Sequence, residues 1–393
     1  MNRNVTCAAG RKEPEMRIAM MTDSYLPTRD GVATAVVTLR KALEDAGHTV
    51  FVIAPDPGEE HREEGVIYFP ATGFRKYPDY YLPVFPSNKR EIVESLDVDV
   101  IHVYGIAFMA LKALFVSRAL RIPVVLTYVT NVVDTMEFYS PLPLPMESQT
   151  RLAWTYLRNL LKRPQCIIAL TPSTLRDFEA NGVRTKRSEV IPIGIDTGRF
   201  TENRDGAAVR RRHGLEGARV AIHVGRMSYE KNITQVVDAM EHMPGDVKLL
   251  IAGKGPAAAD IGAHVQAKGL SDRVIFAGFV PDEELPQYYA AADTFVSASR
   301  FETQGLTVVE AMACGTPVAC AAGRAFLDVI EDGRNGYLFE DSPEACAQAM
   351  LRCMEDRDSL IDGMRRTVAE YSMDAVGARL SALYADLTSA AGR

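Results

Sequence analysis

Ser299-Arg300-Phe301-Glu302-Thr303-Gln304-Gly305-Leu306-Thr307-Val308-Val309-Glu310-Ala311-Met312-Ala313 follows the apolar run Thr294-Phe295-Val296. That run reads as a buried parallel strand, and the Ala-rich segment after Gly305 reads as the start of a helix. The junction places Glu302 at a strand end and Glu310 inside the first helical turn. Free amides at a helix start favour an anion, because they lack partners and the helix dipole points at it. A diphosphate fits the amides of Gly305, Leu306 and Thr307. Glu310 is then placed for ribose hydroxyls, and Glu302 for the group beyond the phosphates. Two glutamates alone more often mark a solvated helix face, so the surrounding residues decide.

Working outward, strand and helix signals alternate through the whole chain. Arg17–Met21, Val50–Ala54, Val100–Val103, Val124–Thr127, Cys166–Leu170 and Val190–Pro192 form a first series of apolar strands. The pattern restarts with Val220–Val224, Val247–Ile251, Val274–Phe276, Thr294–Val296 and Pro317–Ala319. Such alternation predicts an α/β fold of two Rossmann-like domains, each a parallel sheet covered on both faces. The expected division is a disordered extension over 1–15, a first domain over 16–195 and a second over 196–372. A final helix over 373–393 returns to the first domain.

Composition narrows the function classes. The chain has 393 residues, 47% hydrophobic and 24% charged, with net charge −7. This is a globular composition, and its acidity argues against nucleic-acid binding. Residues 1–190 carry 23 Lys/Arg against 22 Asp/Glu, and 191–393 carry 21 against 29. The six cysteines show no C-x-x-C spacing and read as buried thiols. With no signal-peptide core and no bilayer-length apolar run, a cytoplasmic location is expected.

Three loops carry chemistry at the carboxyl ends of expected strands, where parallel sheets bind ligands. Asp23–Ala33 joins the first strand to the first helix, and phosphate contact is expected at Gly31 and Val32. Gly225-Arg226-Met227-Ser228-Tyr229-Glu230-Lys231-Asn232 offers an Arg fork and a Lys point charge suited to phosphate oxygens. Ala252-Gly253-Lys254-Gly255-Pro256 is a turn whose glycines fit a packing role.

The Glu302–Glu310 segment resembles the E-x7-E signature of retaining GT-B glycosyltransferases of group 1 (GT4-like). Gly225–Asn232 resembles that family's G-R-x-x-x-E-K-N/G motif. Thr303–Thr307 is similar to the branch that glucosylates diacylglycerol, close to phosphatidylinositol mannosyltransferases, and the likeness runs from about Met16 to the C-terminus. It implies a GT-B fold, two domains facing across a cleft, and a UDP-hexose donor with a lipid acceptor. No metal or other cofactor is implied. Arg226, Lys231 and Glu302 become the expected catalytic residues. Gly31, Val32, Gln304, Gly305, Leu306, Thr307 and Glu310 become donor contacts, with Val280, in Phe279–Leu285, beside the nucleobase.

Thr127-Tyr128-Val129-Thr130-Asn131 departs from the family's T-x-H-T, with Val129 in the His position that faces the donor sugar. Asp134, Glu137 and Tyr104 are candidates for the acceptor side, and His102 fits either that side or the core. Three alternatives stay open: a silent nucleotide-sugar binder, a UDP-sugar epimerase, and a transferase to a soluble acceptor. Arg151–Arg163, a basic amphipathic helix with the single Trp, and the aromatic element 74–83 suit peripheral membrane contact. The helix equally suits packing on the first sheet.

Overall fold

The computed structural model describes residues 15–28, 30–74, 77–83, 90–131, 133, 136 and 145–391. The extension 1–14, Asp134 and Glu137 lie outside the described residues. In the first half run β1 (Arg17–Thr22), β2 (Thr49–Pro55), β3 (Val66–Phe69), β4 (Ala71–Phe74), β5 (Tyr77–Pro83), β6 (Val100–Tyr104), β7 (Val124–Tyr128), β8 (Cys166–Ala169) and β9 (Ser188–Val190). In the second run β10 (Arg219–Val224), β11 (Val247–Ala252), β12 (Val274–Gly278), β13 (Thr294–Ser297), β14 (Val318–Ala321) and β15 (Tyr337–Phe339).

The first sheet has the order β3-β2-β1-β6-β7-β8-β9, and the second β12-β11-β10-β13-β14-β15. All pairings within these two sheets are parallel. Apolar clusters cover both faces of each sheet, so the alternation delivers two Rossmann-like domains. Strand order reverses between β1 and β6 and between β10 and β13, and ligand crevices form at such switch points. The expected strand over Val190–Pro192 ends at Val190. Pro192 has no N–H to give a ladder.

One buried node ties the first sheet to the end of the chain. His102 Nε2 lies 2.6 Å from the Thr127 hydroxyl on β7. Its Nδ1 lies 2.9 Å from the Tyr104 hydroxyl and 2.5 Å from that of Tyr384. Tyr384 belongs to helix Met373–Ala390, whose Val376, Leu380 and Leu383 share a core with Met16, Ile18 and Leu39. Burial pulls the imidazole pKa down to about 3, so the ring is neutral. Tyr104, expected on the acceptor side, is therefore a core residue with no exposed surface. His102→Leu leaves three hydroxyls without their shared partner, at a cost of about 2–4 kcal/mol. Urea unfolding is expected to show that loss; an unchanged midpoint would remove the node from the stabilising set.

Candidate active site

The loops that leave β10 and β13 meet at the second sheet's switch point and form one wall of a cleft of about 250 Å³. Gly31, Val129, Leu170 and Ile193 line the opposite wall. Arg226, Lys231, Glu302, Gln304, Gly305, Leu306 and Thr307, all named from the sequence, line the cleft as well.

Gly305 makes the β13 turn possible. Its φ is +76°, and an added Cβ would sit 2.6 Å from the ring of buried Phe326. Only glycine suits both demands. The helix Leu306–Ala313 starts directly after it and presents its first amides at the cleft. The glycines of the neighbouring Ala252–Pro256 turn serve packing: a Cβ on Gly253 would lie 1.8 Å from the Gly225 carbonyl oxygen.

Lys231 Nζ and Glu302 Oε1 stand 2.5 Å apart, their side chains only 24% and 19% exposed. Burial pushes the Glu302 pKa up, but Lys231, the nearby Ser299 hydroxyl and His223 outweigh it, so the carboxyl stays below its usual range. Arg226 is exposed at the cleft mouth, with no carboxylate within ion-pair distance among the described residues. The site thus holds one compensated pair and one uncommitted guanidinium.

Three expected contacts need correction. Gln304 lines the cleft, but both ends of its amide are taken: it accepts from Ile193 N at 2.7 Å and donates to Ile193 O at 2.8 Å. It latches the β13 loop to the segment leaving β9. The Val32 amide donates to the Asp30 carboxylate at 2.9 Å, and that of Ala33 does so at 2.8 Å. Asp30 thus puts a negative charge where Val32 was expected to meet phosphate, and Gly31 is left as the cleft residue of that turn. The Val280 side chain is buried in the second domain's core, which does not conflict with the expectation that this loop meets the base through its backbone. Glu310 lies in the second turn of its helix rather than the first, outside the cleft lining. It accepts from the Tyr289 hydroxyl at 2.8 Å. Burial raises its pKa against the pull of Tyr289 and Arg199.

Val129 is 6% exposed and adds an apolar surface to the first-domain wall. Sequence reasoning passed over His223, which also lines the cleft. The available signal was a ring nitrogen inside an apolar strand, two residues before the Gly225-Arg226 turn. The apolar run over 105–116, too short to span a bilayer, contributes to the helix Phe108–Leu120, whose exposed face sequence reasoning did not single out. It exposes Phe108, Leu111 and Phe115, the last at 72%, a spacing that the sequence displays. The helix Met146–Leu161 buries Leu157, Leu160 and Leu161 and leaves Met146, Leu152 and Tyr156 exposed. The side chains of 74–80 lie outside the described residues. No helix among the described residues is long and apolar enough to cross a membrane.

Comparison with known proteins places the family and the fold. Residues 207–372 match the family described as glycosyl transferases group 1, and residues 29–199 match glycosyltransferase family 4. The alpha-monoglucosyldiacylglycerol synthase of Streptococcus pneumoniae is 30% identical over 383 residues, covering 94% of this chain and 86% of that protein. A GDP-mannose-dependent alpha-mannosyltransferase of Mycobacterium tuberculosis is 29% identical over 362 residues, covering 90% and 92%. Anabaena HepE, solved with UDP and glucose, superposes with a TM-score of 0.73 at 20% identity, covering 95% of this chain and all of that one. Sucrose-phosphate synthase from Thermosynechococcus elongatus gives 0.76 at 23% identity, covering 96% and 100%. These likenesses to solved structures place the fold as GT-B. The chain belongs to the group 1, family 4 glycosyltransferases, and it is an enzyme.

Proposed function

We propose that this enzyme moves a hexose, glucose by preference, from a UDP-sugar to a hydroxyl of a lipid such as diacylglycerol, with retention at the anomeric carbon. The Lys231–Glu302 pair beside the Gly305 helix start carries the reading: a cation and free amides for a diphosphate, and a carboxylate where the attached sugar must lie. Two relatives, from Streptococcus pneumoniae and Acholeplasma laidlawii, are named alpha-monoglucosyldiacylglycerol synthases, which supports glucose and a lipid alcohol. The mannosyltransferase relatives make GDP-mannose the second reading of the donor.

In this scheme Arg226 and Lys231 neutralise the departing diphosphate, helped by the amides of Gly305, Leu306, Thr307 and Gly31. The bond from the anomeric carbon to the phosphate oxygen breaks, and the acceptor oxygen bonds to that carbon on the same face. The acceptor's proton passes to a β-phosphate oxygen of the leaving group, so no protein nucleophile is consumed. Glu302 fixes the sugar and supports positive charge at its anomeric carbon. Glu310, held by Tyr289, takes the ribose, and the backbone at Val280 meets the base. Asp134 and Glu137 remain candidates for the acceptor. Phe108, Leu111 and Phe115, with the exposed Met146 and Leu152 of the helix that ends in basic residues, supply a surface for peripheral membrane contact.

Purified protein given UDP-glucose and diacylglycerol vesicles is expected to release UDP and form glucosyl lipid, with GDP-mannose as the control donor. Absence of glycolipid from either donor would sink the acceptor assignment. Val129→His, which adds a polar group to the sugar-facing wall, is expected to raise kcat about tenfold; no gain would mean that another group fills the role.

Lys231→Met strands the Glu302 charge in a half-buried site. Its stability loss of about 1–3 kcal/mol at pH 7 is expected to be largely recovered by Glu302→Gln in the same chain. The paired carboxyl has a depressed pKa, so its contribution exists above the ordinary glutamate range and fades as pH falls through the folded value. Urea midpoints from pH 7 down to pH 3 would therefore converge for the wild type and Lys231→Met. A gap that persists at acid pH would rule out the charge explanation.

Leu111→Asp with Phe115→Asp should cut turnover on vesicles by about tenfold while leaving UDP-glucose affinity unchanged. Equal turnover on vesicles would dismiss this face as the membrane contact.

A further inference from the structure

His223 sits at the end of β10, 1% exposed, with its ring on the cleft lining. The β10–β13 ladder pairs Ala221 with Thr294 and Ile222 with Phe295, and there it stops. The next connection between the two strands comes from the imidazole, whose Nδ1 lies 3.0 Å from the Val296 carbonyl oxygen. A carbonyl can only accept, so Nδ1 carries the hydrogen and Nε2 of the neutral ring is a bare lone pair. That Nε2 is buried and has no hydrogen-bond partner in the structure. Beside it lies Gly225, where an added Cβ would stand 3.7 Å from the nitrogen. The side-chain-free glycine leaves that approach open.

The chemistry of the orphaned atom selects its partner. Burial is the main cause that holds the ring pKa down to about 4; the Val296 carbonyl and Glu302 raise it, while Lys231 lowers it further. At neutral pH Nε2 can therefore accept a proton donor but cannot offer one. A nucleoside diphosphate brings unprotonated oxygens, which a lone pair repels. Arg226, Lys231 and the helix amides already supply the donors that those oxygens need. The part of a nucleotide sugar that brings O–H groups to this end of the cleft, next to Glu302, is the hexose.

We propose that His223 Nε2 accepts a hydrogen bond from a hydroxyl of the donor's hexose and so reads the sugar rather than the nucleotide. The proposal rests on the reading of this cleft as a nucleotide-sugar site. It adds a specificity determinant on the second-domain wall, opposite Val129. The hydroxyl satisfies an acceptor that is otherwise costly to leave unmade.

Calorimetric titration of the full chain with UDP and with UDP-glucose tests it, using wild type, His223→Asn and His223→Phe. His223→Asn keeps an N–H for the Val296 carbonyl and removes the ring acceptor, whereas His223→Phe removes both. UDP affinity is expected to stay within about twofold, and UDP-glucose affinity to fall about tenfold in both variants. Equal losses for both ligands would assign His223 to packing, and an unchanged UDP-glucose affinity would equally overturn the proposal. If His223→Phe proves unstable by thermal melting, His223→Asn decides alone. A set of monodeoxy UDP-glucoses then identifies the hydroxyl: one analogue should bind about tenfold worse to wild type and no worse than UDP-glucose to His223→Asn. Parallel losses across the whole set in both proteins would refute a specific contact. If wild type binds neither UDP nor UDP-glucose, the same comparison runs with GDP and GDP-mannose. Binding there corrects the donor assignment and still tests His223, while binding of neither nucleotide sinks both readings.

Discussion

The short contact between Lys231 and Glu302 is the constraint around which the second domain's cleft is arranged. Two opposite charges removed from water gain from each other only if geometry is good and remaining polar atoms are served. The 2.5 Å separation and the nearby Ser299 hydroxyl meet that condition, and the carboxyl stays ionised despite its burial. Both residues come from loops at the carboxyl ends of adjacent strands, β10 and β13. The pair therefore sits at the point where the parallel sheet reverses its strand order, the place where such sheets open a ligand crevice. On the proposed reading, a diphosphate at the helix start offers Lys231 a second anion, and the sugar offers Glu302 hydroxyls in exchange. The charges are in place before the donor arrives, so little reorganisation is left for the moment of reaction.

Around that pair the two domains are held at a definite separation. Gln304 mimics a strand neighbour to Ile193, giving and taking one hydrogen bond each in a buried setting. Farther along the seam Asp328 accepts from the Ser173 amide at 2.7 Å and pairs with Arg176, while Arg324 pairs with Asp177. The covalent crossing lies beside these contacts: the Ile195 amide donates to Tyr371 O at 2.8 Å, and the Met373 amide donates to Ile195 O at 3.2 Å. Opening the cleft would break the Gln304 latch, which is buried, and the ion pairs, which are partly hydrated and cost less to separate. The latch is therefore one of the buried contacts, with that of Asp328 on the Ser173 amide, that opening has to break.

Most of the fold was legible because apolar strands and glycine turns are one-dimensional signals. The strands missed, β3 and β15 with the β4–β5 pair, are short or carry little periodicity; Tyr337–Phe339 spans only three residues. Within the site, Glu302, Arg226, Lys231 and the Gly305 turn were readable from residue type and spacing. Gln304, Val32 and Tyr104 were assigned wrongly for one common reason. Each is committed to a partner that spacing does not reveal: Ile193 for Gln304, and His102 for Tyr104. For Val32 the partner is Asp30, two residues away, whose capping carboxylate takes the amide that a reading by glycines alone leaves free for phosphate. A polar residue in such a segment announces that it needs a partner, without saying whether that partner is substrate or backbone.

The division of polarity across the cleft bears on the acceptor. Among the described residues, every charged side chain lining it comes from the second domain, as does the orphaned His223 nitrogen, whereas the first domain contributes Val129, Leu170 and Ile193 around Gly31. On the proposed reading, a sugar bound there finds its side-chain partners, among the described residues, on the second-domain wall near Glu302, and meets an apolar surface at Val129 and Leu170. A small hydrophilic acceptor entering from the first-domain side would lose hydration against that wall without side-chain hydrogen bonds in return. A hydroxyl carried on an aliphatic chain loses nothing there, because the atoms behind it are apolar as well. On this argument the valine at position 129 does more than omit a histidine. It adds apolar surface beside Leu170 and Ile193, which supports the proposed lipid alcohol as acceptor.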